Sequence, residues 1–389
     1  MVILSLVFWV SLLLVAYSYL VYPVLLAGAA KLFKRTVRLG ETHFPSIAVI
    51  VPVYNEEKVI KAKLENILSI DYPADTLEIW VGSDCSTDHT HEIVKQFPSS
   101  RVHLWIAQKR GGKTEVLNHL APLVSAEILV FTDANTVHRT DSIKKMVRSF
   151  ADPTVGGVAG LIKHQSKKRE AEEVLYRSFE CRQKFNESQL HSSISAFGGF
   201  YSIRRELFKP LPYNAYSNDD VLIPMNVIRR NFRVVFDPEA ISEEDMTESI
   251  AHEFTRRVRI GAGNFQAFFW LLDFLNPLRG WPWFCFLSHK ASRWFSPFFM
   301  ATAMGCAGAL GFLHGAQFYA CYFIGCAGLA SAGALYLLFP LRILRPLFYF
   351  MSMNIALMMG FFRYCAGIRS AAWSRTEREA EKNPAHSLR

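Results

Sequence analysis

Ser46–Glu57 reads S-I-A-V-I-V-P-V-Y-N-E-E; after a helical stretch, Leu77–Asp88 reads L-E-I-W-V-G-S-D-C-S-T-D. Two apolar runs, Ile47–Val53 and Leu77–Val81, each end in polar and acidic residues. Such runs suit strands of a parallel sheet that is covered on both faces. In an open parallel sheet, ligands bind at the carboxyl ends of the strands. Asn55, Glu56, Asp84 and Asp88 stand at such ends. A rim of carboxylates there suits a divalent metal, or a nucleotide held through its base and ribose.

Working outward, strand and helix patterns alternate through residues ~45–265, as in an α/β domain. Val102–Ile106 and Ile128–Thr132 read as further strands; Glu56–Leu68, Asp88–Phe97 and Thr114–Val124 read as helices. The fourth strand runs into Asp133-Ala134-Asn135, where the Asp can cap a turn or ligate a metal. Lys109-Arg110-Gly111-Gly112-Lys113-Thr114 precedes a helix. Its glycines admit an anionic group to the backbone, and the helix amino terminus favours negative charge. The spacing G-x-x-x-x-G-K is absent, so it is not a Walker A loop. In Tyr216-Ser217-Asn218-Asp219-Asp220, the N-D-D by itself reads as a helix cap with an acidic first turn.

Val51-Pro52-Val53-Tyr54-Asn55-Glu56-Glu57 followed by Ser83-Asp84-Cys85-Ser86-Thr87-Asp88 resembles the start of a family-two inverting glycosyltransferase of GT-A fold. The resemblance implies that Pro52, Tyr54, Glu56 and Asp84 bind the nucleotide sugar. It implies Mg²⁺ or Mn²⁺ on Asp133 and Asn135, with Asn135 standing where the family usually has a second Asp. An Asn carbonyl ligates such ions but brings no charge. Lys113, in a segment ending Leu117-Asn118 as the family's does, is placed near the nucleotide or the acceptor.

Ala196–Arg205 resembles the family's glycine-containing strand, with Gly198 and Gly199 near the donor sugar or acceptor. A β-bulge with surface arginines is the plainer reading of Arg204 and Arg205. Asp220 matches the family's catalytic base, with Asp219 as its alternate. The chemistry requires a base, because an acceptor hydroxyl must lose its proton as it attacks the anomeric carbon. In Phe254–Asn264, Arg256 and Ile260 replace the Gln and Trp of the Q-x-x-R-W motif of processive relatives. Arg259 keeps the Arg, which implies charge neutralisation on the leaving diphosphate. Without the Trp, a stacking platform for an acceptor sugar is gone. A basic helix at a membrane surface is the alternative for Arg256 and Arg257.

The chain has 389 residues, 51% hydrophobic and only 20% charged. That is greasier than an ordinary soluble enzyme, and the mean hydropathy is positive. Val2–Ala30 is nearly uncharged and exceeds the roughly 20 residues that cross a bilayer. No basic residue precedes it, which argues against a signal peptide. Lys31, Lys34, Arg35 and Arg38 follow, so the positive-inside rule puts the amino terminus outside and the rest of the domain in the cytoplasm. Phe295–Leu313, Phe318–Leu338 and Pro346–Cys365 are further candidate spans, with Gly305, Gly308 and Gly311 suited to close helix packing. Phe265–Trp294 reads as interfacial amphipathic helices. Four crossings place the tail outside, whereas its Arg369, Arg375, Arg378 and Lys382 favour the cytoplasm.

The expected layout is an N-terminal anchor (1–30), a GT-A α/β domain (45–264), interfacial helices (265–294), C-terminal transmembrane helices (295–366) and a charged tail (367–389). Seven cysteines form no C-x-x-C pair, so neither a disulfide framework nor a zinc site is expected. No nucleic-acid module is present; the net charge of +9 suits anionic lipid or a polyphosphate substrate.

The resemblance implies sugar transfer from a nucleotide-diphospho-sugar, most simply a UDP-sugar, to a growing glycan at a bacterial inner membrane, with a partner export protein if the few spans form no channel. Transfer of one sugar to a lipid is the rival within that class. A non-catalytic membrane scaffold that binds nucleotide sugar is the rival outside it. A transporter fits least, because the spans lack charged pairs.

Overall fold

The computed structural model describes residues 1–42, 44–164, 171–244 and 250–368. The basic residues of the tail, Arg369, Arg375, Arg378 and Lys382, lie outside the described residues. The described chain forms two compact units: Ala29–His252, and Met1–Gly28 together with Glu253–Gly367.

The first unit is built on an eight-stranded sheet. Its strands are β1 (Ile47–Val53), β2 (Leu77–Ser83), β3 (Val102–Ile106), β4 (Ile128–Thr132), β5 (Thr136–His138), β6 (Val155–His164), β7 (Phe200–Arg204) and β8 (Arg233–Glu244). The order is β3-β2-β1-β4-β7-β6-β8-β5. β1 is wholly buried, in keeping with its unbroken apolar run. β1 to β4 are mutually parallel, so their carboxyl ends lie along one edge. Beyond β4 the sheet is mixed, because β7 runs antiparallel to both β4 and β6. Thr132 is opposite Phe200, so β7 begins at the same edge where β4 ends.

Helix Lys113–Leu123 packs across β2 at Gly82. A Cβ on Gly82 would lie 2.2 Å from a Val116 methyl and 2.8 Å from a Leu120 methyl. The missing side chain lets the helix approach and fixes the height of Lys113 at its first turn. The segment that enters the unit is tied by Arg233, 3% exposed, which donates to the carbonyls of Arg35, Thr36, Ser188 and His191.

The second unit is helical. Among the described residues three helices are long and apolar enough to cross a membrane: Val2–Leu32, Trp281–Leu313 and Gln317–Leu335. Residues 281–294, expected at the interface, are instead continuous with the second of these. Lys290 and Arg293 do not interrupt it; Pro282 stands at the helix start, and Pro297 lies inside the helical run. Arg345–Cys365 is a helix of 21 residues but does not reach the same apolarity. Phe8 packs edge-on to Tyr319 and Tyr322 at 5.0 Å beside Ala303 and Ala307. A Cβ on Gly311 would fall 2.6 Å from the Ala320 backbone, whereas Gly305 has open space around it. Gly360 sits against the backbone of Gly261 and Ala262, so those two residues serve helix contact within Ile250–Trp270.

Gly82→Ala must push Val116 and Leu120 outward. We expect a loss of about 1–3 kcal/mol, read as a lowered unfolding midpoint of the purified protein in detergent.

Candidate active site

The loops after β1 and β2 are stitched to each other. The Asp84 amide donates to the Val53 carbonyl at 2.9 Å. The Asn55 side chain accepts from the Thr87 amide at 2.8 Å, and the Asn55 amide donates to Ser86 Oγ at 3.0 Å. Asp88 accepts from the amides of Glu57 and Thr90, each at 3.1 Å, so it staples the loop to the start of helix Thr90–Lys95. The Glu56 amide donates to Thr90 Oγ1 at 2.9 Å. Pro52 is buried in β1; the ladder to β4 stops at Ile50, so the missing N–H forfeits no bond on that side.

Asp84 is fully buried, and one carboxylate oxygen accepts from the amides of Gly111 and Gly112 at 2.7 and 3.0 Å. Arg110 lies 3.5 Å from the other oxygen, with its guanidinium 3.6 Å above the Tyr54 ring. The basic glycine loop is therefore folded onto Asp84. Gly112, at φ 83°, leads into the helix that starts with Lys113.

From that first turn, Lys113 reaches across the sheet edge. Its ammonium donates to Asp133 at 2.9 Å and to the Gly198 carbonyl at 3.1 Å, and it pairs with Asp219 at 3.2 Å. Burial alone would lower the Lys113 pKa; the Asp133 and Asp219 carboxylates outweigh it and hold it above the usual lysine value. The same helix sets the approach to Asp219. Asn118 exchanges two hydrogen bonds of 2.7 Å with the backbone of Leu211, and Thr114 Oγ1 donates to the Ala215 carbonyl at 2.9 Å. The Leu117-Asn118 motif is thus a clamp on the chain leading to the acid pair.

Asp219 and Asp220 open helix Asp219–Arg229 behind Asn218, which takes φ 70°. Asp219 is 8% exposed and accepts from the Tyr201 hydroxyl at 2.6 Å. Burial and the adjacent Asp219 push the Tyr201 phenol well above its ordinary pKa, so it remains a donor. Tyr201 was not singled out in the sequence, although it sits in the quoted glycine-containing stretch. Asp220 is less buried, and a Cβ on Gly198 would lie 3.7 Å from its carboxyl group. Of the four described non-glycine residues at positive φ, three are Asn55, Cys85 and Asn218, all at this edge. Such strain gathers where a site over-determines its backbone.

Asp133 and Asn135 lie in the turn between β4 and β5. Asn135 donates its side-chain N–H to Glu244 at 2.9 Å, a partner not anticipated from the sequence. Among the described residues no three His, Cys, Asp or Glu side chains form a metal cage. An ion such as Mg²⁺ needs only one or two protein oxygens when diphosphate and water supply the rest. Asp133 and the carboxamide of Asn135 fit that donor set. A Cβ on Gly199 would come within 3.4 Å of Asp133 Oδ2, so the glycine keeps that oxygen clear.

Arg204 and Arg205 stand apart from this cluster. Arg204 is opposite Ile128, at the far end of β4, and donates to the Val155 and Phe150 carbonyls at 2.8 Å. Arg205 donates to the Ala126 carbonyl at 3.0 Å. Arg256, Arg259 and Ile260 belong to helix Ile250–Trp270 of the helical unit. Arg256 pairs with Glu253 at 2.8 Å, as does Arg257 at 2.6 Å.

Residues 48–211 match the family model described as Glycosyl transferase family 2. A beta-monoglucosyldiacylglycerol synthase of Synechocystis is 33% identical over 119 residues, covering 30% of this chain and 25% of that protein. A poly-beta-1,6-N-acetyl-D-glucosamine synthase of Staphylococcus epidermidis is 24% identical over 259 residues, 64% of this chain and 62% of that one. The chain thus spans about a quarter of the first relative and less than two thirds of the second. The solved structure of a mannosyltransferase from Pyrobaculum calidifontis, in complex with GDP-Man and Mn²⁺, superposes with a TM-score of 0.71. It is 24% identical and covers 92% of this chain and 99% of its own. That likeness establishes the GT-A fold.

Lys113→Met leaves Asp133 and Asp219 facing each other without a cation, so its melting temperature falls below wild type. Because the folded pKa of Lys113 is raised, its stabilisation is complete below the unfolded lysine value of about 10.4 and is lost as pH rises past it. The gap in melting temperature between the two proteins should therefore stay constant from neutral to mildly basic pH and shrink above about pH 10.4.

Proposed function

We propose that this chain, which carries a family 2 glycosyltransferase domain over residues 48–211, is a membrane-anchored inverting glycosyltransferase. It moves a sugar from a nucleotide-diphospho-sugar, most simply UDP-linked, to a growing glycan presented at the membrane. The observation that carries this reading is the meeting of Asp133, Asp219, Asp220 and Lys113 around Gly198 and Gly199, next to Asp84 and Tyr54 at the carboxyl edge of a GT-A sheet. Six stretches far apart in the chain supply these groups. A scaffold that only bound nucleotide would have no need of the acid pair.

In this reading Tyr54, Glu56 and Asp84 line the nucleoside side. Asp133 and Asn135 hold Mg²⁺ or Mn²⁺, which when bound neutralises charge on the diphosphate. Asp220 takes the proton of the acceptor hydroxyl as its oxygen attacks the anomeric carbon. The bond to the diphosphate breaks on the opposite face, and an α-linked donor gives a β-linked product. Asp219, held by Tyr201 and Lys113, fixes the first turn of the helix that carries Asp220. Fixing both reactants at one edge supplies much of the acceleration. The role of Arg259 on the departing nucleotide rests on its motif position. The three apolar helices and the basic residues 31–38 support a bacterial inner-membrane protein with its α/β unit in the cytoplasm.

A second reading, transfer of a single sugar to a lipid, draws on the 33% identity to the beta-monoglucosyldiacylglycerol synthase. Ile260, where processive relatives carry Trp, favours it as well. Incubation of the purified protein with radiolabelled UDP-sugars and Mn²⁺, followed by sizing of the product, separates the two. A ladder of chains supports glycan synthesis, and one organic-soluble species supports lipid transfer. Asp220→Asn should lower turnover by about 10²–10⁴-fold while donor binding persists. Unchanged turnover would remove Asp220 from the mechanism.

A further inference from the structure

Helix Ile60–Leu68 buries Ile60, Lys63, Leu64 and Ile67. This is the spacing of an apolar stripe, and one member of it is a lysine that is only 3% exposed. A buried ammonium is costly unless its donors are satisfied. Here the partners are neutral: Thr132 Oγ1 at 2.8 Å, the Thr136 carbonyl at 2.6 Å, Thr136 Oγ1 at 2.9 Å and His138 Nε2 at 3.1 Å. None of these partners is a carboxylate, so this is not an ion pair that happens to be buried.

Thr132 and Thr136 are the two ends of the turn that bears Asp133 and Asn135. Their hydroxyls lie 2.7 Å apart, and Thr136 Oγ1 also donates to the Asp133 carbonyl at 2.9 Å. One nitrogen therefore holds both ends of the turn. The strand that follows is fixed from the same helix. Asn66, three residues after Lys63, donates to the His138 carbonyl at 2.9 Å and accepts from the His138 amide at 2.8 Å. On its other side His138 Nδ1 meets Ser242 Oγ at 2.6 Å, where β5 pairs with β8. Burial and the neighbouring Lys63 keep the His138 imidazole neutral, well below its usual pKa, so Nε2 can accept from the lysine.

We propose that Lys63 is a positioning residue, which clamps Thr132 and Thr136 so that Asp133 and Asn135 present their oxygens in the geometry a divalent cation takes up. The inference rests on the glycosyltransferase reading of Asp133 and Asn135. Mg²⁺ and Mn²⁺ demand close control of ligand direction, and groups behind the ligands set that direction. An aliphatic side chain in the same stripe would fill the space without tying the turn. The lysine stands in a place where packing alone favours leucine or methionine.

The test compares the full-length protein in detergent with Lys63→Met and Thr136→Val. Free Mn²⁺ is followed by electron paramagnetic resonance during titration in the presence of UDP, and UDP binding is measured separately in EDTA. Lys63→Met should weaken Mn²⁺ uptake by about 10–100-fold, leave metal-free UDP binding and the melting temperature near wild type, and have its loss of rate restored by excess Mn²⁺. Thr136→Val should weaken uptake in the same direction, and the double variant should be no worse than Lys63→Met alone. Wild-type Mn²⁺ affinity in Lys63→Met overturns the proposal. If that variant does not fold, wild-type affinity in Thr136→Val overturns it. Failure of the wild-type protein itself to take up Mn²⁺ with UDP removes the glycosyltransferase reading, and the proposal with it.

Discussion

The α/β unit depends on a single cation held between two acids. The Lys113 ammonium joins Asp133 at the end of β4, Asp219 at the start of a helix, and the Gly198 carbonyl ahead of β7. Without it, two carboxylates would face each other in a partly buried place, where like charges repel strongly. With it, three segments converge at the carboxyl edge of the sheet. Helix Lys113–Leu123 must therefore lie at one height above the sheet, and the bare Cα of Gly82 permits that height.

Several groups that look like ligand contacts in the sequence also do structural work. Asp84 gathers the amides of Gly111 and Gly112, so a residue expected at the nucleotide organises the loop beside it. Asn118 and Thr114 fasten the segment that leads into Asp219 and Asp220. Asp88 is taken up as a loop staple. Lys63 extends the same pattern beneath Asp133, where hydroxyls and an imidazole replace the carboxylates used above. The polar edge is therefore layered, with acids at the strand ends and polar groups behind them that hold the turns in place.

The helical unit follows a different economy. Its contacts are aromatic edges and bare glycine backbones, as at Phe8 and at Gly360 against Gly261. In an apolar surrounding, association of helices relies on close packing of small residues. This explains Gly261 and Ala262, whose backbone meets Gly360.

The sequence alone determined the first four strands, to within two residues at β2, because buried parallel strands are written as apolar runs that stop at polar turns. It also marked acids and glycines that the fold brings to one edge of the sheet, since those residue types recur at strand ends and helix starts. It did not reveal that the sheet turns mixed beyond β4, because a strand's direction depends on partners distant in sequence. It could not separate Arg204 and Arg205 from the site, as only the antiparallel register of β7 carries them to the far end. Tyr201, Glu244 and Lys63 stayed hidden for the same reason: their roles are pairings across the fold. Local pattern sets what each segment becomes, and the tertiary structure decides which charges meet, because electrostatic and hydrogen-bond partners are chosen by distance in space.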